Sequence, residues 1–480
     1  MSRPRGVTDL LLRNALWVRI HESRRVSVRR TTAGAIRYNM PHASGWVRAL
    51  VIGLLGALTA AGCGGAPDLV TDRVAGQVTD LPPGSPPILF VHGNGDSSAL
   101  WITTIWRFES NGYPRDRLFA IDFVSPTARD NDAIAQANRS STADAMRQLA
   151  ATVDQILAST KATKVALVAN SRGANAVRNY LKNGGGAATV GWAVLGGGVN
   201  HGVFSAPGGS NSEFNGAGAF MTQLNDGAEV VPGVRYLTIR SDRLDKFAQA
   251  DPAGPALRGA TNVVLDGVDH RETAFGARAF LEMYRFLTGK TGTSDIVPEQ
   301  SPRLTGFVGG YENRAPTNRG VAGVEVTIYE VDGGTGARTG AAVLTTTTGP
   351  DGNWGTLVAK PAAFYEFVVE APRQPVRHTF RSPFPRSSGQ VGLRLFDDAP
   401  PTAGTGLIVF TRPRGYIADG RDTHLLDGKP VPGVAAGVPT NSSFRVETTQ
   451  FGRGIPASLN GERMTVRAFP GEIVYAEFHY

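Results

Sequence analysis

The sequence predicts an α/β domain, a mainly parallel sheet with helices on both faces, followed by one or two small all-β, sandwich-like domains. Three observations predict it. Between residues 87 and 288, short apolar runs alternate with amphipathic helical patterns, as strands do when crossover helices cover both faces of their sheet. Beyond Gly289–Ser301 the helical pattern stops and two-residue alternation takes over. The 480 residues hold 59 Gly and 30 Pro with no G-X-Y period, which indicates a turn-rich globular chain rather than a collagenous one.

Length and composition set the bounds for this reading. At roughly 150 residues per domain the chain has room for about three domains. Hydrophobic residues at 41% and charged residues at 19% exclude a disordered chain. The single cysteine excludes a disulfide scaffold and a Cys-based zinc site. The net charge of +8 would suggest a nucleic-acid or anionic-membrane partner, but its location removes that suggestion. Residues 1–39 hold nine Arg and two acids, residues 40–62 add Arg48, and residues 63–480 balance at 39 Lys and Arg against 39 Asp and Glu. No nucleic-acid partner is expected.

The N-terminal elements follow from this distribution. Residues 40–62 have a short n-region ending in Arg48, then the uncharged run Ala49–Gly62. Fourteen residues cannot cross about 30 Å of hydrocarbon as a helix, so a cleaved secretory signal is expected rather than an anchor. Cys63 follows Ala60-Ala61-Gly62 directly, which resembles a bacterial lipoprotein signal and implies lipidation of Cys63; plain cleavage and release is the alternative. Residues 1–39 form a basic extension that need not be translated, since Met40 opens the signal. A twin-Arg reading of Ser23-Arg24-Arg25 leaves its hydrophobic region too far downstream. The expected location is therefore secreted or attached to the cell envelope.

Residues 63–86 are a linker by composition, and the α/β segment spans 87–288. Its strand candidates are Ile88–Val91, Leu118–Phe123, Val165–Ala169, Thr189–Leu195, Tyr236–Ile239 and Asn262–Leu265. Its helix candidates include Thr142–Leu157, Ala174–Leu181 and Thr273–Leu287, the first with Ala145, Leu149, Val153 and Leu157 on one stripe. After the linker 289–301, residues 302–398 give a β-sandwich pattern with strands around Val321–Val331 and Phe364–Val369. A break at Asp397–Gly404 precedes a second β stretch, 403–480, so two small β domains or a single two-lobed one are expected.

Chemistry concentrates in the α/β segment. Ser171 lies in Val165-Ala-Leu-Val-Ala-Asn-Ser-Arg-Gly173, a β run feeding a small-x-Ser-x-Gly turn with a helical pattern immediately after it. The flanking residues must be small because the backbone turns sharply to present the hydroxyl, the geometry of a nucleophile elbow. A serine nucleophile needs a base. His92 precedes it, His201 lies too early and is expected to line the site or be structural, and His270, past the last strand and before the final helix, is the candidate. The orienting carboxylate should follow the Tyr236–Ile239 strand, where Asp245 is favoured, Asp242 is the alternative and Asp251 a distant third. Asp266 and Asp269 are too near His270 in sequence and are expected to shape its loop. The His92-Gly93 turn ends the first strand, and the main-chain N–H groups of Asn94 and Arg172 are the expected oxyanion donors.

Together these residues resemble the α/β-hydrolase fold, specifically bacterial lipases and esterases with a His-Gly oxyanion turn. Ala169, where Gly is usual, is similar to the elbow of small secreted Bacillus-type lipases, while Asp269–Phe275 and the appended β region resemble multidomain lipases. The resemblance implies a catalytic triad of Ser171, Asp245 and His270 and hydrolysis of lipid esters through an acyl-enzyme, with no metal or organic cofactor. The expected partners are an ester substrate and a lipid–water or membrane interface; oligomeric state is not legible. Ser125–Ser141 and Gly202–Gly227 are candidate covers over the site. An extracellular polyester or polyhydroxyalkanoate depolymerase shares the same triad, and a cell-surface binding protein with an inert hydrolase domain is the reading from another class.

Overall fold

The computed structural model describes residues 85–480. The basic extension 1–39, the signal 40–62, Cys63 and residues 63–84 of the expected linker lie outside the described residues.

Six strands form one sheet: β1 Ile88–Val91, β2 Leu118–Ile121, β5 Val165–Asn170, β6 Val190–Gly196, β7 Arg235–Ser241 and β8 Thr261–Leu265. A short separate pair, β3 Thr127–Ala128 and β4 Arg139–Ser140, stands between β2 and β5. The sheet order is β2-β1-β5-β6-β7-β8 and every neighbouring pair is parallel. Alternation along β1 sends Ile88 and Phe90 to one face and Leu89 and Val91 to the other. The helices are α1 Ile102–Ser110, α2 Thr142–Thr160, α3 Arg172–Asn183, α4 Ala219–Asn225, α5 Glu272–Phe275 and α6 Ala277–Thr288. On one face Phe108 of α1 packs with Phe280 and Met283 of α6; on the other Leu149 and Val153 of α2 pack with Val177 and Leu181 of α3.

One helical expectation is widened and one changes. The expected α2 stripe packs on the core, with Ala145, Leu149 and Val153 buried and Leu157 half-buried, and Ile156 joins it because 3.6 residues per turn drifts from a strict spacing of four. The helix expected over Thr273–Leu287 is broken at Gly276 (φ −72°, ψ 153°), where a Cβ would lie 2.6 Å from the Glu272 carbonyl oxygen. Helix α1 was not among the sequence candidates; it is short and buried from Ile102 to Phe108, the polar Thr103, Thr104 and Arg107 included.

The second region supplies β9 Arg303–Glu312, β10 Ala315–Gly320, β11 Glu325–Val331, β12 Leu344–Thr347, β13 Asn353–Val358, β14 Phe364–Glu370, β15 Arg377–Arg381 and β16 Leu393–Arg394. The third supplies β17 Gly406–Thr411, β18 His424–Leu426, β19 Lys429–Pro430, β20 Ser443–Thr448, β21 Ile455–Leu459, β22 Glu462–Val466 and β23 Ile473–Glu477. The break at 397–404 separates no two sheets. A seven-stranded sheet, β12-β11-β14-β15-β23-β17-β20, takes strands from both sides of it, with β23 parallel to both β15 and β17. A four-stranded group (β10, β9, β13, β16) and another (β19-β18-β21-β22) are each associated with this sheet through an apolar core.

The first of those cores is shared with the α/β domain. Ile102 and Trp106 of α1 are buried among Leu304, Val326, Trp354, Phe367 and Phe384, and Trp106 Nε1 donates to the Ser387 carbonyl at 3.0 Å. The 289–301 segment is pinned alongside: Glu299 and Glu109 both pair with Arg115 and Arg386 at 2.7–3.1 Å. Truncating Trp106 to Ala should therefore lower unfolding free energy by about 3–5 kcal/mol. In differential scanning calorimetry the loss should shift one cooperative transition; a β region that melts independently of it would contradict the shared core.

Candidate active site

Ser171 sits where β5 gives way to α3 and holds φ 53°, ψ −122°, a left-handed conformation that costs a non-glycine residue of order 1–3 kcal/mol. Close neighbours hold it there. Its N–H donates to the Gly196 carbonyl at 3.1 Å, and Asn170 Nδ2 reaches the same oxygen at 3.1 Å. A Cβ on Gly173 would lie 2.7 Å from the carbonyl oxygens of both Val91 and His92, so the strand end demands glycine at that place. Ala169 is fully buried beside Val91 in the β1–β5 register, where its methyl group fits.

The same register brings the His92-Gly93 turn beside the serine: a Cβ on Gly93 would lie 3.1 Å from Ser171 Cβ. His92 is buried; its Nδ1–H donates to the Gly93 carbonyl at 2.8 Å and its Nε2 accepts the Phe123 N–H at 3.1 Å. That pattern requires the neutral imidazole, and burial pushes its pKa down. His92 is thus a fixture of the turn. Asn94 is exposed, and its side-chain oxygen accepts the Ala128 N–H at 2.7 Å, tying the turn to β3.

His270 and Asp245 come together. Both are buried, and His270 Nδ1 lies 2.8 Å from Asp245 Oδ2, whose companion oxygen accepts the Phe247 N–H at 2.8 Å. Asp242 is turned elsewhere, accepting from the N–H groups of Arg243 and Gly267. Asp251 caps its own turn through Ala253 N–H, and Asp266 pairs with Arg278. His201 ties two loops, with Nδ1 at 2.6 Å from the Gly254 carbonyl and Nε2 at 3.3 Å from Glu229. His270 Nε2, by contrast, is buried with no hydrogen-bond partner. Gly196 and Gly197 link Ser171 and His270: the first accepts from Ser171 N–H, and a Cβ on the second would lie 3.0 Å from His270 Nδ1.

The His270 loop is braced from the far end of the chain. Asp269, fully buried, accepts the N–H groups of Arg271 and Glu272, and its other oxygen takes the Tyr416 N–H at 2.6 Å and faces Arg421 at 3.3 Å. Glu272 pairs with Arg412 at 2.6 Å and Arg421 at 3.0 Å. Burial, then the Glu272 charge, push the Asp269 carboxyl pKa up, and Arg412 and Arg421 pull it back. Arg271 crosses to Asp96 at 2.9 Å, and Asn318 of β10 donates to the carbonyls of Asp96 and Phe123 at 3.0 Å. Of these bracing residues the sequence offered Asp269, expected to shape the His270 loop, and it holds that loop here, whereas Asp266 pairs with Arg278 instead. Glu272, Arg412, Arg421 and Asn318 were not sequence candidates, since they meet the loop only through the fold.

Arg172 is buried and points away from the serine. Nε donates to Glu213 at 2.5 Å, and its terminal nitrogens donate to the Pro126 carbonyl, the Ser140 hydroxyl and the Ser140 carbonyl at 2.9–3.0 Å. One guanidinium thus holds both candidate covers, 125–141 and 202–227, against the start of α3. Asp132 N–H also donates to the Asn211 carbonyl at 2.8 Å, joining the covers to each other. Ile134 on one cover and Phe204 on the other are exposed, at 58% and 43%.

Residues 85–233 match the class 2 lipase family model and residues 303–397 match that of the lipase C-terminal domain. The first match includes Ser171 and the His92-Gly93 turn and ends before Asp245 and His270. Among solved structures, the mature form of the Bacillus licheniformis lipase BlEst2 is similar at 21% identity over 44% of this chain and 96% of that one, with a TM-score of 0.35. Its propeptide form aligns at 15% identity over 81% of this chain and 98% of that one, TM-score 0.35. Aspergillus fumigatus lipase B aligns at 15% over 44% of this chain and 54% of that one, TM-score 0.34. No curated protein sequence matches the chain.

Replacing Glu213 with Gln leaves the Arg172 cation buried without its counter-charge, a change that costs on the order of 3–5 kcal/mol for a buried pair. The covers should loosen first. Hydrogen exchange within 202–227 should accelerate by at least about tenfold while α3 and β5 stay protected; unchanged exchange there would show that Arg172 does not hold them.

Proposed function

We propose that the chain, a lipase/esterase of the α/β-hydrolase fold with a C-terminal domain, hydrolyses carboxylic esters of lipids by nucleophilic catalysis from Ser171. His270 takes the hydroxyl proton as Ser171 Oγ attacks the ester carbonyl. The oxyanion forms against the main-chain N–H groups of Asn94 and Arg172. The protonated imidazole then passes its proton to the leaving alcohol, and water releases the acid from the acyl-enzyme by the same route. Asp245 holds the imidazole with Nδ1 protonated, so that Nε2 is the basic nitrogen, and stabilises the cation that forms. The observation that carries this reading is the buried 2.8 Å bond between His270 and Asp245, behind an Nε2 with no other partner.

Lipid esters are favoured over small soluble ones by the exposed apolar tips of the two covers, Ile134 and Phe204, which suit a lipid–water interface. The β region serves as scaffold. Tyr416, Arg412, Arg421 and Asn318 are all engaged with the catalytic domain, which disfavours a free polymer-binding module. The signal-like composition of residues 40–62 supports a mature protein outside the cytoplasm, held by a lipid on Cys63 or released.

Three measurements test this. Ser171→Ala should lower kcat on an activated ester by roughly 10⁴–10⁶; near-normal turnover would end the proposal. Asp245→Asn should lower kcat by about 10⁴ because the wrong tautomer is selected, while Asp242→Asn should stay within about tenfold of the parent; the reverse ranking would reassign the carboxylate. Double substitution of Arg412 and Arg421 by Gln should lower kcat by about 10²-fold with little change in KM, as a slackened His270 loop misplaces the base. An equal rise in KM instead would point to substrate binding.

A further inference from the structure

One cavity of the described residues lies away from Ser171, which is not part of its lining. It holds about 300 Å³ and lies between the Gly95–Ile102 stretch of the α/β domain and the seven-stranded sheet of the β region. Alternation along β15 turns Arg377, Thr379 and Arg381 to this one face, while His378 and Phe380 turn to the other. Arg394 of β16 and Arg414 after β17 complete the wall, with Arg271 at the edge toward the His270 loop.

Two of these cations are neutralised: Arg271 by Asp96 at 2.9 Å and Arg381 by Glu477 at 3.0 Å. The other three meet no carboxylate. Arg377, 2% exposed, donates to Gln374 and to the carbonyls of Pro375 and Phe396, with its Nε unpartnered. Arg414, 5% exposed, donates to the carbonyls of Ala99 and His479, and its Nε is likewise unpartnered. Arg394 donates to the carbonyls of Gly310 and Thr317 and to the Asn318 side chain. Burial pushes the Arg414 pKa down to about 10 and the neighbouring Arg381 adds to it, while Glu477 and Glu462 pull it back.

Arg377 and Arg414 are buried and Arg394 is half-buried, and cations gathered around one space with no ion pair gain most when an anion enters it. The rest of the lining mixes apolar side chains, Leu100, Phe307 and Leu393 among them, with polar ones such as Ser442, Tyr475 and His479. We infer that this cavity is a binding site for a small amphiphilic anion, an alkyl carboxylate or alkyl phosphate whose head is held by Arg377, Arg394 and Arg414 and whose short tail lies on the Leu100, Phe307 and Leu393 side. The site is separate from the Ser171 constellation and touches it only through Asp96 and Arg271, which lie two residues past Asn94 and one past His270.

Calorimetric titration and thermal melting of the full-length protein test the inference, with octanoate, octyl phosphate, inorganic phosphate and octanol as probes. The two amphiphilic anions should bind and raise Tm, the better of them naming the head group. Inorganic phosphate should bind at least about tenfold more weakly for want of a tail, and octanol should not bind at this site. Arg377→Gln and Arg394→Gln should each weaken the anions by about tenfold or more. Both variants should melt no lower than the parent when no ligand is present, because each removes an uncompensated cation. Phe396→Glu guards against misfolding, since Phe396 is 40% exposed and gives Arg377 only its backbone carbonyl. It should abolish anion binding by supplying a tethered counter-charge. Anions that fail to bind the parent, or that bind all three variants as tightly as the parent, would overturn the site. Arginine variants that melt well below an anion-insensitive parent would show the arginines to be structural.

Discussion

The chain buries a carboxylate, Asp269, with no exposure to water, one residue before the candidate base. A lone ion in that position would cost several kcal/mol, so the loop that carries His270 takes its native form only when cations from elsewhere reach it. Arg412 and Arg421 arrive from about 140 residues further along, together with the Tyr416 N–H. Around this requirement the other interdomain features fall into place: Trp106 and Ile102 seal the shared core on one side, and Asn318 and Arg271 tie the stretch after the His92-Gly93 turn to the same contact. The β region is therefore part of the catalytic domain's folding, and a cut at residue 289 would strip the base of its support as well as expose α1.

Legibility in the sequence followed locality. The Ser171 elbow, the His92-Gly93 turn and the six parallel strands were readable because each depends on a few adjacent residues whose size and alternation carry the geometry. The choice between Asp242 and Asp245 was harder, since both follow β7 within a few residues and only the closure of the His270 loop separates them. Helix α1 was invisible to periodicity because it is sandwiched between two cores. The seven-stranded sheet was hidden for a related reason: composition marks the 397–404 stretch as a break, but strand pairing ignores chain proximity, and β15 and β17 are joined through β23.

Arg172 shows how one residue can mislead when read alone. Beside a nucleophile, a guanidinium suggests a hand in substrate choice. Its side chain instead satisfies four acceptors on the 125–141 and 202–227 segments. Arg172 thus spends its charge on holding these two segments against the start of α3.

The position of β23 bears on biogenesis. Ile473–Glu477 fills the middle of the seven-stranded sheet, between strands that end at residues 381 and 411. Until that strand has been made, the two halves of the sheet present bare hydrogen-bonding edges to each other. Assembly of the scaffold, and with it the bracing of the His270 loop, must wait for residues 473–477. The loop that carries His270 therefore owes its support to a strand about two hundred residues further along, and a chain stalled before residue 473 lacks that support.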